Sequence, residues 1–106
     1  MNLMIGVDLG GTYTKFGLVT EEGELIAENR IETDSGIPYN VFFARLHSEI
    51  ESLISSYALG SKVLGIGIGA PSGNYLSGKI ESASNLSWPD FIPVAKIMAD
   101  YSGLPV

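Results

Sequence analysis

The stretch LMIGVDLGGTYTKFGLVT, residues 3–20, decides the fold. Its first part, residues 3–9, is almost entirely apolar, which predicts a strand that is buried on both faces. Two glycines interrupt the run at residues 10–11, and residues 13–20 form a second run with loose alternation. A third strand is predicted over residues 25–33, after a polar turn. Three strands joined by short glycine-containing turns predict an antiparallel meander.

The hydrophobic pattern changes from about Tyr39 onward. Apolar residues now recur at intervals of three and four, which predicts an amphipathic helix that ends near Gly60. Residues 63–70 then alternate strictly and predict a strand. One face of this strand presents Leu64, Ile66 and Ile68, and the other presents three glycines. A bare glycine face allows a ligand or another backbone to approach closely.

The last third of the chain adds smaller elements. A turn is expected at residues 71–74 and a short strand at residues 79–82. A second helix is predicted with Pro93 in its first turn and Gly103 at its end. Residues 104–106 have the pattern of the entry to another strand. The order of these elements predicts an α/β fold. Its mixed sheet begins with an antiparallel three-strand meander, which is followed by strands connected by helices.

Composition excludes several classes of protein. The chain has 106 residues, 45% of them hydrophobic, which suits one domain with its own core. Its net charge of −6 argues against a nucleic-acid partner. Cysteine is absent and His47 is the single histidine, which excludes disulfides, thiolate zinc sites and multi-histidine metal sites. Because the chain has neither a long apolar stretch nor a leader pattern, we expect no membrane partner and a cytoplasmic location.

The strongest chemical signal lies where the first strand meets the second. Glycines allow backbone N–H groups to converge on an anion, and hydroxyl and ammonium groups add hydrogen bonds and positive charge. A carboxylate at a strand end can hold Mg²⁺ directly or through its water shell. The spacing matches neither the P-loop nor the dinucleotide-binding fingerprint. The candidate residues for binding phosphate and Mg²⁺ are Asp8, Gly10, Gly11, Thr12, Thr14 and Lys15.

A plain hairpin is an alternative of about equal weight for this segment. In that interpretation Gly10 and Gly11 adopt positive φ, and Asp8 accepts hydrogen bonds from the turn. A carboxylate inside so apolar a strand lowers the stability of the fold unless it has a hydrogen-bond or charge partner. That cost slightly favours the phosphate site.

A second candidate segment combines the glycine-faced strand with the turn that follows it. Ser72 and Gly73 lie in that turn, and Asn85 lies downstream. A glycine face can form the floor of a polyol site, and an asparagine offers a donor and an acceptor to sugar hydroxyls. Helix packing over the glycines is the alternative, and the segment alone favours it. We interpret Trp88 as a core anchor and His47 as a partly exposed helix residue.

Together, these segments resemble the N-terminal part of the ROK family, which groups sugar kinases such as glucokinase, N-acyl-hexosamine kinases and sugar-responsive repressors. The resemblance extends over nearly the whole chain and implies one lobe of a ribonuclease-H-like, actin-like ATPase fold. It therefore implies that residues 1–106 are the N-terminal lobe of a longer protein. The residues that carry it are Asp8–Thr12, Phe16–Val19, Gly65–Gly73 and Asn85–Trp88.

The resemblance also implies roles for the candidate residues. Asp8 is expected to help place Mg²⁺ and the phosphates, next to a first phosphate loop formed by residues 10–14. The family's sugar pocket begins at the positions of Ser72, Gly73 and Asn85. Ser72 replaces a usual glycine, and residues 13–15 replace the commoner lysine followed by an apolar residue. The implied cofactors are ATP and Mg²⁺, and the implied substrate is a hexose, glucose by default.

The expected function is that of an ATP-dependent hexose kinase, a homo-oligomer at full length. No catalytic residue is expected within residues 1–106, because the family's general base is an aspartate that follows an asparagine shortly beyond Val106. Residues 1–106 alone are therefore expected to be inactive. One alternative is a sugar-sensing ROK repressor, although its winged helix-turn-helix would precede this lobe and the first strand starts close to Met1. Another is a non-catalytic nucleotide-binding module of the same superfamily.

Overall fold

The structure, a computed structural model, describes residues 1–81 and 87–106. These residues form a mixed α/β arrangement, which confirms the predicted class. Its elements, in chain order, are β1 (Asn2–Leu9), β2 (Tyr13–Thr20), β3 (Leu25–Glu32), α1 (Tyr39–Tyr57), β4 (Lys62–Gly69), β5 (Gly73–Asn74), β6 (Lys79–Ile80) and α2 (Val94–Ser102).

The main sheet has four strands in the order β3-β2-β1-β4. β2 pairs antiparallel with both β1 and β3, which confirms the predicted meander. β4 lies parallel to β1 on its other side. A parallel neighbour requires a crossover, and α1 provides it between β3 and β4. The carboxyl ends of β1 and β4 therefore lie side by side at one edge of the sheet.

The core lies on one face of this sheet. β1 alternates strictly, with its odd-numbered residues buried and its even-numbered residues exposed. The prediction that this strand is buried on both faces is wrong, because no helix of the described residues covers the second face. The side chains packed between sheet and helix α1 include Leu3, Ile5, Val7, Leu9, Phe42, Phe43, Leu46, Ile50 and Leu53.

A bulge in β4 changes which of its residues face the core. Leu3 pairs with Val63, but the next residue of β1, Met4, pairs with Gly65. Leu64 is therefore skipped and is 36% exposed, so its predicted place beside Ile66 is wrong. The glycine face is as predicted: its three glycines lie in register with the exposed residues of β1, in the pairs Met4–Gly65, Gly6–Gly67 and Asp8–Gly69.

The helices follow the sequence patterns closely. α1 begins at Tyr39, and the chain turns at Gly60 with φ of +86°. α2 follows Pro93 and ends at Gly103, whose φ of +72° is left-handed. Trp88 is buried against the rings of Phe42 and Phe43, with centroid distances of 5.2 and 5.7 Å. Its indole N–H donates to the Ile37 carbonyl at 2.8 Å, which confirms the core role.

The segment after β4 contains more strand structure than predicted. Gly73 and Asn74, expected in a turn, form β5 and pair with β6. β6 covers the first part of the predicted strand over residues 79–82, whose last residue lies outside the described residues. No strand forms over residues 104–106, but the Ile66 N–H donates to the Pro105 carbonyl at 2.9 Å. The end of the chain therefore runs beside the free edge of β4.

Among the residues that the structure describes, no helix is both long enough and apolar enough to span a membrane.

Candidate functional site

Asp8 and Lys15 lie next to each other on the uncovered face of the sheet. Asp8 of β1 is the register partner of Lys15 in β2 and of Gly69 in β4. Cross-strand partners share a face, and both side chains are exposed there. Within the described ranges, no cation lies within 4 Å of the Asp8 carboxylate and no group donates a hydrogen bond to it. This carboxylate is therefore available to a ligand.

The loop between β1 and β2 is closed by its own backbone. The Gly10 N–H donates to the Tyr13 carbonyl at 3.0 Å. A Cβ at Gly10 would lie 2.6 Å from that carbonyl oxygen, so close approach, and not a left-handed backbone, requires glycine here. The hairpin alternative expected positive φ at Gly10 and Gly11 and turn hydrogen bonds to Asp8, and none of these features is present among the described residues. Gly11 and Thr12 are exposed at the tip of the loop, where their groups can reach a ligand.

Thr14 does not face the candidate site. Its side chain is fully buried, and its hydroxyl lies 2.6 Å from that of Thr33. Alternation along β2 places Thr14 on the core face and Lys15 on the opposite face, so one ligand cannot contact both side chains. The expectation that the Thr14 hydroxyl binds phosphate is therefore corrected. The side chain instead joins β2 to the segment that follows β3.

Sequence reasoning missed Arg30 at this end of the sheet. Arg30 is the register partner of Lys15, and its guanidinium carbon lies 4.3 Å from the centroid of the Tyr13 ring. The row across the sheet therefore runs Gly69, Asp8, Lys15, Arg30. No motif spacing connects Arg30 to Asp8, because only the strand register brings them together. Charged side chains on β3 also discourage pairing at its free edge.

The predicted sugar-site residues begin directly beyond β4. Ser72 lies three residues after Gly69, so the phosphate and sugar segments adjoin at one edge of the sheet. Ser72 has φ of +57°, a left-handed conformation in which a glycine is unstrained. The Gly73 N–H donates to the Ala70 carbonyl at 3.1 Å and closes the turn. Asn85, the third predicted sugar residue, lies outside the described residues.

A cavity of about 470 Å³ lies between β4, the β5–β6 hairpin and α2. One wall is the free edge of β4, along which Pro105 already accepts a backbone hydrogen bond. Its polar side chains are Asn74, Tyr75 and Lys79, and the rest of its lining consists of aliphatic residues and glycines. A wall of unpaired strand backbone is suited to backbone pairing more than to a polyol. Gly73 lines this cavity, so the candidate sugar site at the Ser72 turn adjoins it.

The donor set at Asp8 fits one particular kind of metal binding. Among the described residues, no group of three histidine or acidic side chains could hold a metal ion. Mg²⁺ in phosphate-transferring sites commonly uses one or two carboxylates together with substrate phosphates and water. The single unpaired carboxylate of Asp8, beside an exposed loop, meets that requirement.

The mixed sheet of four strands, with its antiparallel meander and the parallel β4, has the architecture of one lobe of the actin-like ATPase fold. A model of the ROK family matches residues 4–106. The chain belongs to the ROK family.

Its relatives include kinases and a repressor. The chain is 30% identical over 104 residues to a glucokinase of Halalkalibacterium halodurans, covering 96% of this chain and 31% of that protein. It is 33% identical over 108 residues to a protein assigned as a xylose repressor in Caldicellulosiruptor sp., covering all of this chain and 27% of that protein. A solved ROK glucokinase from Streptomyces griseus, in complex with glucose and AMPPNP, superposes with a TM-score of 0.74 at 28% identity. That match covers 98% of this chain and 31% of the glucokinase chain. The chain thus spans about a third of the length of these relatives.

Proposed function

We propose that the chain is the N-terminal lobe of an ATP-dependent hexose kinase, with glucose as the default substrate. The observation that carries the proposal is the unpaired Asp8 carboxylate, in register with Lys15 and next to the exposed loop at Gly11 and Thr12. Similarity to two glucokinases, one of them in complex with glucose and AMPPNP, supports both the sugar and the nucleotide.

In the proposed reaction, a sugar hydroxyl attacks the γ-phosphorus in line, and the bond to the bridging oxygen of the leaving ADP breaks. Backbone N–H groups at Gly11 and Thr12 bind phosphate oxygens, and the Lys15 ammonium lowers the cost of the charge that develops there. Asp8 would hold Mg²⁺, which neutralises phosphate charge when it is bound. The hydroxyl proton goes to a base, which we expect beyond Val106.

The sugar side of the site is proposed at the turn beyond β4. Ser72, Gly73 and Asn85 would contact hexose hydroxyls there. Ser72 lies three residues from Gly69, the register partner of Asp8, so a hexose at this turn would lie close to phosphates held at Asp8. Adjacent sites of this kind convert a bimolecular encounter into an oriented one.

The test is a measurement of hexose-dependent ATP turnover by the full-length protein over a panel of sugars. We expect turnover with at least one hexose and none with residues 1–106 alone. Full activity of residues 1–106 would contradict the assignment of the base to a position beyond Val106. Absence of turnover with every hexose would refute the kinase proposal.

A sugar-sensing repressor is the second candidate, because the relative assigned as a xylose repressor is 33% identical over the whole chain. In that case the lobe would bind sugar without turnover. The net charge of −6 makes this lobe a poor surface for DNA, so operator binding would depend on another part of the protein. Sugar binding without ATP turnover, together with sugar-dependent DNA binding by the full-length protein, would favour the repressor.

We further propose that the full-length kinase acts in the cytoplasm as a homo-oligomer, without a nucleic-acid or membrane partner. The acidic composition supports the absence of a nucleic-acid partner, and the oligomer rests on the family resemblance. Light scattering of the full-length protein, with and without sugar, tests the oligomeric state.

A further inference from the structure

Two strained residues lie on either side of one carboxylate in the segment beyond β4. Ser72 and Phe91, with φ of +57° and +60°, are the non-glycine residues of the described chain that adopt positive φ. Glu81 lies between them. Its N–H donates to the Ser72 carbonyl at 3.0 Å, and the preceding Ile80 exchanges two backbone hydrogen bonds with Ile92, the residue after Phe91.

Positive φ is unusual for both residues. It is a true outlier for a residue as bulky as phenylalanine, and it costs free energy that other interactions must offset. Conformations of this kind concentrate at ligand-binding and catalytic sites. Here they coincide with the turn already proposed to contact sugar, at Ser72.

The Glu81 side chain is held in place without being neutralised. Its Oε1 accepts a hydrogen bond from the Asn74 side-chain amide at 3.0 Å. The Asn74 Oδ1 in turn accepts the N–H groups of Leu76 and Ser77, at 2.8 and 3.3 Å, which fixes the orientation of the amide. Within residues 1–81 and 87–106, no cation lies within 4 Å of Glu81, and its second carboxylate oxygen is not engaged.

Alternation separates this polar group from the core. Ile80 is fully buried, so its neighbour Glu81 projects to the opposite side of the hairpin, the side of Asn74. Phe91 is 60% exposed despite its size. A carboxylate, a hydroxyl and an exposed aromatic ring together suit a sugar, because the polar groups bind hydroxyls and the ring can cover the apolar face of the pyranose.

We propose that Glu81 and Phe91 form a hexose subsite beside Ser72, in which the Glu81 carboxylate oxygen without a partner in residues 1–81 and 87–106 accepts sugar hydroxyls and the Phe91 ring packs against the sugar. The negative charge of Glu81 indicates which of the two substrates, ATP or hexose, binds here. A carboxylate repels the phosphates of ATP but does not repel a neutral sugar. The subsite rests on the proposed function in taking a hexose as its ligand.

The test is calorimetric binding of hexoses to the full-length protein without nucleotide. Glu81→Gln keeps an acceptor for Asn74 but removes the charge, and we expect the Kd to rise about tenfold or more. Glu51→Gln, at an exposed position of α1, is the matched control and should leave the Kd unchanged.

A second pair of variants separates the aromatic ring from the backbone strain. Phe91→Asn tolerates positive φ but removes the ring, and the Kd should rise about threefold to tenfold. Phe91→Tyr keeps the ring and should keep the affinity. If Glu81→Gln does not fold, hydrogen exchange of the unsubstituted protein replaces it, and hexose should then protect the amides of residues 91–92, which lie outside the Ser72 turn.

The outcomes distinguish this subsite from the kinase proposal. Unchanged Kd in both Glu81→Gln and Phe91→Asn overturns the subsite and leaves the kinase proposal intact, and absent protection of residues 91–92 likewise overturns the subsite alone. Binding that is sensitive to Glu81, in a protein without ATP turnover, supports the subsite and refutes the kinase. Failure of the unsubstituted protein to bind any hexose overturns both.

Discussion

The ends of β1 and β4 adjoin, but the two halves of the candidate site that follow them are constructed differently. From Asp8 to Lys15 the strand register is regular, and no non-glycine residue has positive φ. Beyond Gly69 the described residues include both left-handed non-glycine positions, Ser72 and Phe91, and only short paired segments. The phosphate half therefore follows from ordinary sheet geometry, whereas the sugar half depends on conformations that its residues do not favour.

This difference has a physical consequence. Where geometry is regular, a side chain can be changed without disturbing the backbone, so function and stability separate cleanly. Where the backbone is strained, a change that relaxes it alters stability and ligand contact together. Substitutions in the phosphate half should therefore change function or stability separately, whereas substitutions in the sugar half should change both together. Four substitutions test this difference.

The largest effect is expected at Asp8. Asp8→Asn removes the charge with little change in volume, at an exposed position without hydrogen bonds to the described residues. The kcat of the full-length protein for hexose phosphorylation should fall by about 100-fold or more, as expected for electrostatic groups at a phosphoryl centre. The thermal melting temperature should not change.

Glu28→Gln is the matched control for this substitution. Glu28 is an exposed carboxylate in β3, in register with Gly17, and it lies on the same face of the sheet as Asp8. Its removal changes the net charge equally and should leave kcat within about twofold of the parent. Equal losses in both variants would attribute the effect to the general field of the acidic face and contradict a specific role for Asp8.

The next largest effect concerns the buried pair Thr14 and Thr33. Thr14→Val leaves the Thr33 hydroxyl buried without its partner, and the free energy of unfolding should fall by about 2 kcal/mol. The double variant Thr14→Val/Thr33→Val removes both hydroxyls and should recover much of the loss. Urea unfolding of residues 1–106 measures both. A loss of phosphate binding without a loss of stability would instead restore Thr14 to the phosphate site.

Much of this architecture could be predicted from the sequence, because periodicity reports burial directly. The meander, both helices, the stop at Gly103 and the core position of Trp88 are all confirmed, whereas α1 ends at Tyr57 with Ala58 as its cap, before the predicted stop at Gly60. The burial of Thr14 was also accessible, since alternation from Phe16 places Thr14 on the core face. The error there came from counting the hydroxyl groups of a motif without asking which face each residue occupies.

Other features depend on pairing, which no local pattern encodes. The bulge that exposes Leu64 adds one residue to β4 relative to β1, and it is visible only in the register. Arg30 reaches the row of Asp8 for the same reason. The left-handed backbone of Phe91 had no signal at all, because phenylalanine does not favour that conformation.

A smaller effect on stability is expected at Gly10. Gly10→Ala introduces a Cβ 2.6 Å from the Tyr13 carbonyl oxygen, so the loop backbone must shift, at a cost of about 1–2 kcal/mol. Gly6→Ala lies on the same strand face as Asp8 and meets nothing within 4 Å, so it is the control. Gly6→Ala should raise the unfolding free energy by about 0.5–1 kcal/mol, because alanine reduces the freedom of the unfolded chain and its Cβ meets no clash. Equal effects of the two substitutions in urea unfolding would contradict close approach at Gly10.

The smallest effect, and the one of opposite sign, is expected at Ser72. A left-handed backbone costs a non-glycine residue about 1–2 kcal/mol, and Ser72→Gly removes that strain. Glycine also gives the unfolded chain more freedom, which offsets about 0.5–1 kcal/mol of the gain. The net stabilisation should be about 0.5–1 kcal/mol.

Ser61→Gly is the control for this last substitution, because Ser61 has an ordinary φ and precedes β4 in a comparable loop. At Ser61 there is no backbone strain to relieve, and glycine only gives the unfolded chain more freedom. Ser61→Gly should therefore destabilise the protein by about 0.5–1 kcal/mol. Ser72→Gly should at the same time weaken hexose binding by the full-length protein, because the hydroxyl proposed to contact the sugar is lost. A gain in stability together with a loss in affinity would show that strain at this turn is retained for ligand contact. If Ser72→Gly instead destabilises as much as Ser61→Gly, the turn is not strained, and the contrast between the two halves of the site fails at its simplest point.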